Sequence, residues 1–121
     1  MLLVDAANVI GSRPTGWWKD RPGAARTFVE RVRDAVGTGQ LTEPVVMVLE
    51  GKACDGAEPG VADGVTVIHA PRSGDDMLLE VIADSDAPVT LVTADRALSE
   101  KARDLGADVV RPGWFLDRLD E

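Results

Sequence analysis

The chain has little of what the commonest small-domain chemistries need. Of its 121 residues one is cysteine and one is histidine, and no apolar run approaches the length of a membrane span. A single cysteine, Cys54, cannot form an internal disulfide, and without companion ligands at metal-site spacing it does not point to zinc. The lone histidine, His69, stands at the end of an apolar segment, where a structural role competes with that of a catalytic base. The stretch Met1 to Val4 is too short for a signal peptide and lacks its basic flank, so a cytoplasmic protein without membrane association is expected. With 45% apolar and 28% charged residues, the composition is that of one ordinary globular domain spanning residues 1–121.

Positive charge is also scarce, the net charge being −8, which argues against a general nucleic-acid coat. Its distribution is uneven. Residues 11–33 hold Arg13, Lys19, Arg21, Arg26, Arg31 and Arg33 against Asp20 and Glu30, a net +4, which leaves the remainder at −12. Arg26, Arg31 and Arg33 also fit a solvated helix face.

What the chain does have is a run of strand signals that end on acids. Met1-Leu-Leu-Val-Asp5 predicts a buried central strand delivering Asp5 to the rim of a sheet, with Asn8 just beyond it, able to orient Asp5 or to meet a ligand. The plain alternative is a turn capped by Asp5 with Asn8 as a left-handed residue. Val9 to Pro22 is rich in Gly and Pro and reads as a loop. Its adjacent Trp17 and Trp18 suit a loop anchor or a homodimer contact, and also base stacking beside phosphate-binding arginines. Gly23 to about Val36 has helical spacing, Pro44 to Leu49 is a second buried strand closed by Glu50, and Gly51 to Gly64 reads as a loop. Val65–Ile68 is a third strand. Ser73-Gly-Asp75-Asp76 opens a helix, with Ser73 and Asp76 in the positions of a capping box. Pro88–Val92 is a fourth strand that delivers Asp95, itself a candidate cap for a helix from Arg96 to about Leu105. Ala107–Val110 is a short edge strand, followed by a last helix in which Trp114 and Phe115 are expected in the core.

This alternation predicts an α/β fold, a three-layer sandwich around a central parallel sheet of about five strands in the order 3-2-1-4-5. Ligands of such sheets bind beyond the carboxyl ends of the strands, where the strand order reverses. With the first and fourth strands adjacent, Asp5 and Asp95 sit on neighbouring strand ends, and Asp75 and Asp76 approach from the side. Several acids on one edge repel one another unless a cation is present, and oxygen-only ligands suit Mg²⁺ or Mn²⁺.

The segments Val4-Asp5-Ala-Ala-Asn8-Val-Ile-Gly11, Ser73-Gly-Asp75-Asp76 and Val92-Thr93-Ala-Asp95-Arg96, in this order and spacing, resemble the PIN-like nucleases and, within them, the bacterial branch of the NYN domains. The resemblance covers nearly the whole chain. It implies a metal-dependent ribonuclease in which Asp5, Asp76 and Asp95 hold Mg²⁺ or Mn²⁺, Asp75 serves as ligand or water orienter, and Asn8 positions the group. Arg13, Lys19, Arg21 and Arg96 would then meet the phosphates of single-stranded or structured RNA. The sequence departs from the family's pattern at Ala6 and Ala7, where glycine or tyrosine is common, and at Ser99, where a further acid is common. Two other functions use the same residues, hydrolysis of free nucleoside triphosphates and RNA binding without turnover. A phosphoacceptor receiver domain fits less well, because it needs an acidic pair after the first strand.

Overall fold

Five parallel strands and one antiparallel strand form a single sheet, as described by a computed structural model for residues 1–120. The elements in chain order are β1 (Leu2–Asp5), α1 (Ala6–Gly11), α2 (Arg21–Gly37), β2 (Val45–Leu49), β3 (Gly60–Ala62), β4 (Val65–His69), α3 (Gly74–Asp84), β5 (Thr90–Val92), α4 (Arg96–Asp104), β6 (Asp108–Val110) and α5 (Pro112–Leu119), with 3₁₀ turns at Trp17–Lys19 and Gly51–Gly56. The sheet order is β3-β4-β2-β1-β5-β6.

The α/β sandwich agrees with the sequence reading, but the strand count and order do not. The sixth strand, β3, lies in what the sequence presented as the loop Gly51 to Gly64. All three of its residues are exposed, so it carries no apolar alternation to betray it. It pairs antiparallel with β4 across Asp63-Gly64, both in the left-handed region at φ 53° and 78°. An Asp-Gly pair with two positive φ values is the chemistry of a tight hairpin, and it is the one signal that points to this strand.

Side-chain alternation along the buried strands feeds two cores. Leu2, Val4, Met47, Leu49 and Val92 face α1, α2 and α5, where Phe28 meets Phe115 edge to face at 6.2 Å between ring centroids. Leu3, Val48 and Leu91 face α3 and α4 through Leu78, Ile82, Leu98 and Ala102. Because β1 is buried on both faces and paired on both edges, with β2 and β5, it carries Asp5 to the point where the strand order reverses. Trp114 departs from expectation: it is exposed on α5, its ring lying 4.9 Å from the Arg118 guanidinium, while Phe115 alone enters the core. Among the described residues no helix is long and apolar enough to cross a membrane.

Candidate active site

Asp5 ends β1 and begins α1. Its Oδ1 accepts from the backbone N–H of Asn8 at 3.4 Å, capping a helix that the sequence presented as a turn and loop; six residues are too few to show a helical period. Its Oδ2 accepts from the Thr93 hydroxyl at 2.9 Å, across the seam between β1 and β5. The carboxyl is only 8% exposed, and its pKa is pushed up to about 6, first by burial and then by the charges of Asp75 and Glu50; the two hydrogen bonds pull the other way.

The Asn8 side chain does not turn back to Asp5. Its Oδ1 accepts from the backbone N–H of Ala94 at 2.8 Å, which ties α1 to the turn that follows β5. That turn ends at Asp95, whose backbone N–H donates to Thr93 Oγ1 at 3.2 Å and whose Oδ1 caps α4 at the N–H of Leu98, 3.0 Å away. Ser99, buried one turn on, donates its hydroxyl to the Asp95 carbonyl at 2.6 Å. Asp95 is thus the helix cap that the sequence allowed, whereas Asp5 caps a short helix rather than a turn, with Asn8 helical and not left-handed, and the two acids share the rim through Thr93.

The acids at the start of α3 separate. Ser73 accepts from the backbone N–H of Asp76 and so serves as the cap. Asp75 faces the rim: partial burial raises its carboxyl, followed by the charges of Asp95, Glu50 and Asp76, with Lys101 opposing. Asp76 instead lines a groove with Arg72, Met77 and Leu105. Glu50, which the sequence showed closing β2 but did not put forward as a site residue, completes the rim. Its Oε2 accepts from the backbone N–H of Gly74 at 2.8 Å, at the positive end of α3. A Cβ at Gly74 would stand 3.1 Å from that carboxyl group, so glycine is what allows the approach. The signal available for Glu50 was positional, an acid directly after a central buried strand.

Four carboxylates, Asp5, Glu50, Asp75 and Asp95, therefore gather at the carboxyl ends of β1, β2 and β5 and the start of α3. Among the described residues none of the four forms an ion pair with lysine or arginine, and no three carboxylate, histidine or cysteine groups converge closely enough to enclose an ion. The donor chemistry suits a hard divalent cation: every group is a carboxylate oxygen, and among the described residues no ion pair neutralises any of the four. Mg²⁺ is commonly held by only one or two carboxylates while keeping several waters, so a closed cage of three is not required.

Arg21 stands over the Trp17 ring, 5.5 Å from its centroid, and lines a cavity that also contains Glu50 and Arg72. Arg13 lines a second cavity, beyond Trp17, together with Arg26 and Arg31, two arginines that the sequence also allowed on a plain solvated face. Lys19 ends the 3₁₀ turn and Arg96 opens α4, both exposed. His69 has a structural bond, its Nε2 lying 2.7 Å from the Ala57 carbonyl oxygen. Burial, and after it the charge of Asp55, pushes the Cys54 thiol up.

No protein-family model matches the chain, and no curated protein matches it. Among solved structures it is similar to Rae1 (YacP) from Bacillus subtilis, crystallised as a tryptophan-to-leucine mutant, with a TM-score of 0.70 at 19% sequence identity over 98% of this chain and 74% of that one. At that identity the likeness shows a shared fold.

Proposed function

We propose that this chain is a metal-dependent ribonuclease of the PIN-like, NYN type that hydrolyses RNA phosphodiester bonds at the rim formed by Asp5, Glu50, Asp75 and Asp95. The observation that carries the reading is the burial of Asp5 among like charges, none of the four carboxylates being ion-paired among the described residues. Desolvation and repulsion together disfavour this arrangement in the bare protein, and a divalent cation removes the penalty. One or two of Asp5, Asp75 and Asp95, with waters completing the shell, would hold Mg²⁺ or Mn²⁺, with Glu50 beside them; Asp75 takes the place that the sequence gave to Asp76. When bound, such an ion lowers the pKa of a coordinated water and stabilises charge on a phosphoryl oxygen.

The chain's own residues do the remaining work. Thr93 and Asn8 fix the two sides of the β1–β5 seam, the former through Asp5 and the latter through Ala94, and so act as positioning residues. Arg21 and Arg96 flank the rim as phosphate contacts, with Arg13 and Lys19 further along the strand's path. In the hydrolysis the oxygen of a water forms the new bond to phosphorus and one ester P–O bond breaks. A rim carboxylate takes the water's proton, and solvent protonates the departing oxygen.

The test is cleavage of an end-labelled single-stranded RNA in Mn²⁺, with chelator and Asp5→Asn as controls and ATP as a competing substrate. Cleavage that both controls abolish supports the reading. Turnover of ATP with RNA left intact would favour triphosphate hydrolysis, and binding of RNA with no turnover of either would leave a non-catalytic RNA-binding domain.

A further inference from the structure

Trp17 is a partition between two cavities. On the side of the acid rim lies a space of about 420 Å³ whose apolar surface comes from Ala7, Ile10, Ala24 and Ala53 and whose lining also carries Arg21, Arg72 and Glu50. On the other side lies one of about 520 Å³ lined by Arg13, Arg26 and Arg31. The indole is held rather than loose. It packs against Gly11, where a Cβ would lie 3.4 Å from the ring, and meets Trp18 edge-on at 6.2 Å between centroids. Arg21 supplies a second planar, stackable group, the guanidinium that stands over this ring.

An apolar floor, an aromatic plane, two guanidinium groups and direct contact with the acid rim together describe a receptor for something flat, partly apolar and joined to negative charge. A cavity of this size takes a small flat ligand such as a base, and a base offers its face to a side chain for stacking when the strand is unpaired. We infer that the cavity between Trp17, Arg21, Arg72 and Glu50 holds one unpaired nucleobase of the RNA strand whose neighbouring phosphate lies at the rim. Arg21 and Arg72 meet the phosphates on either side of that base, and the strand continues past Trp17 onto Arg13 and Arg26. The identity of the polymer rests on the ribonuclease reading; the pocket rests on its own geometry. Its consequence is that the protein selects single strands.

The experiment is fluorescence anisotropy of a labelled RNA hexamer in chelator, so that nothing is cleaved, against the same sequence as a duplex. The parent should bind the single strand roughly tenfold more tightly than the duplex, and Trp17→Ala should lose about tenfold in affinity without changing the slope of log affinity on log salt, because stacking releases no counterions. Trp17→Phe should restore most of the loss. Arg72→Ala should weaken binding and flatten that slope by about one phosphate contact. Equal affinity of the parent for duplex and single strand, or Trp17→Ala binding like the parent, would overturn the pocket. Should Trp17→Ala fail to fold, the duplex comparison and Arg72→Ala decide alone. Cleavage in Mn²⁺ by a protein indifferent to Trp17 would discard the pocket and keep the nuclease; binding that depends on Trp17 in a protein that never cleaves would do the opposite.

Discussion

Thr93 donates its hydroxyl hydrogen to Asp5 Oδ2 at 2.9 Å, and its oxygen accepts from the backbone N–H of Asp95 at 3.2 Å. One buried hydroxyl thus joins the ends of β1 and β5, the two strands between which the sheet order reverses. Thr93→Val keeps the shape and removes both bonds, leaving a buried carboxylate oxygen and an N–H without this partner. The expected cost is about 1–3 kcal/mol in denaturant unfolding at neutral pH. A change within a few tenths of a kcal/mol would mean that water replaces the hydroxyl and that the seam does not depend on it.

Asp5 gives the metal-free protein a pH dependence of definite sign. Its folded pKa of about 6 lies above the unfolded value of 3.8, so the native state binds the extra proton and stability falls as pH rises from about 4 to about 6. The whole penalty, of the order of 3 kcal/mol, is present above that window. Asp5→Asn should therefore melt higher than the parent at pH 7 in chelator, with the advantage shrinking towards pH 4. Identical melting curves at both pH values would show that the carboxylate carries no such penalty.

Asp75 and Asp76 should separate by assay. Asp75 faces Asp95 and Glu50 across the rim, whereas Asp76 lines a different groove and helix capping falls to Ser73. Calorimetry should find weaker Mn²⁺ binding in Asp75→Ala and near-parental binding in Asp76→Ala, while Ser73→Ala should lose about 1 kcal/mol of stability with metal affinity intact. The reverse ranking of the two aspartates would return the ligand role to Asp76.

Far from the rim, Glu43 and Arg118 form a two-pronged ion pair at 2.8 and 3.0 Å that fastens α5 to the approach to β2. The Arg118 guanidinium holds the Glu43 carboxyl down to about 2, so this contribution is complete above about pH 4.5 and is lost as pH falls towards 2. Because the pair is partly exposed, Glu43→Gln should cost only about 1 kcal/mol at pH 7, nothing near pH 2, and no RNA cleavage at any pH. A loss of activity without unfolding would tie α5 to the site, contrary to its position.

The layers and the rim were legible because burial on both faces writes a continuous apolar code: Leu2 to Val4, Val45 to Leu49 and Thr90 to Val92 could hardly be anything but inner strands, and the acids follow directly on them. What was illegible has short range or no apolar content. The helix Ala6–Gly11 is under two turns long, and β3 buries nothing. Whether Asp75 or Asp76 faces the sheet turns on one helical step of about 100°, which a capping motif leaves open. Glu50 was visible as a strand-end acid, yet its role depends on the approach of Gly74, a contact between segments 24 residues apart. Trp114 and Phe115 divide between solvent and core for the same rotational reason, and Arg118 covers the exposed ring.

The central claim is that the carboxylates around Asp5 form a site for a divalent cation, and the most direct measurement is the melting temperature of the parent and of Asp5→Asn in chelator and in millimolar Mn²⁺. A ligand at a hundred times its Kd stabilises the native state by about 2.7 kcal/mol, which for a domain of this size is a shift of several degrees. The parent should gain that shift and Asp5→Asn should not, although it starts higher in chelator. An unchanged parental melting temperature in Mn²⁺, or an equal gain in Asp5→Asn, would contradict the account.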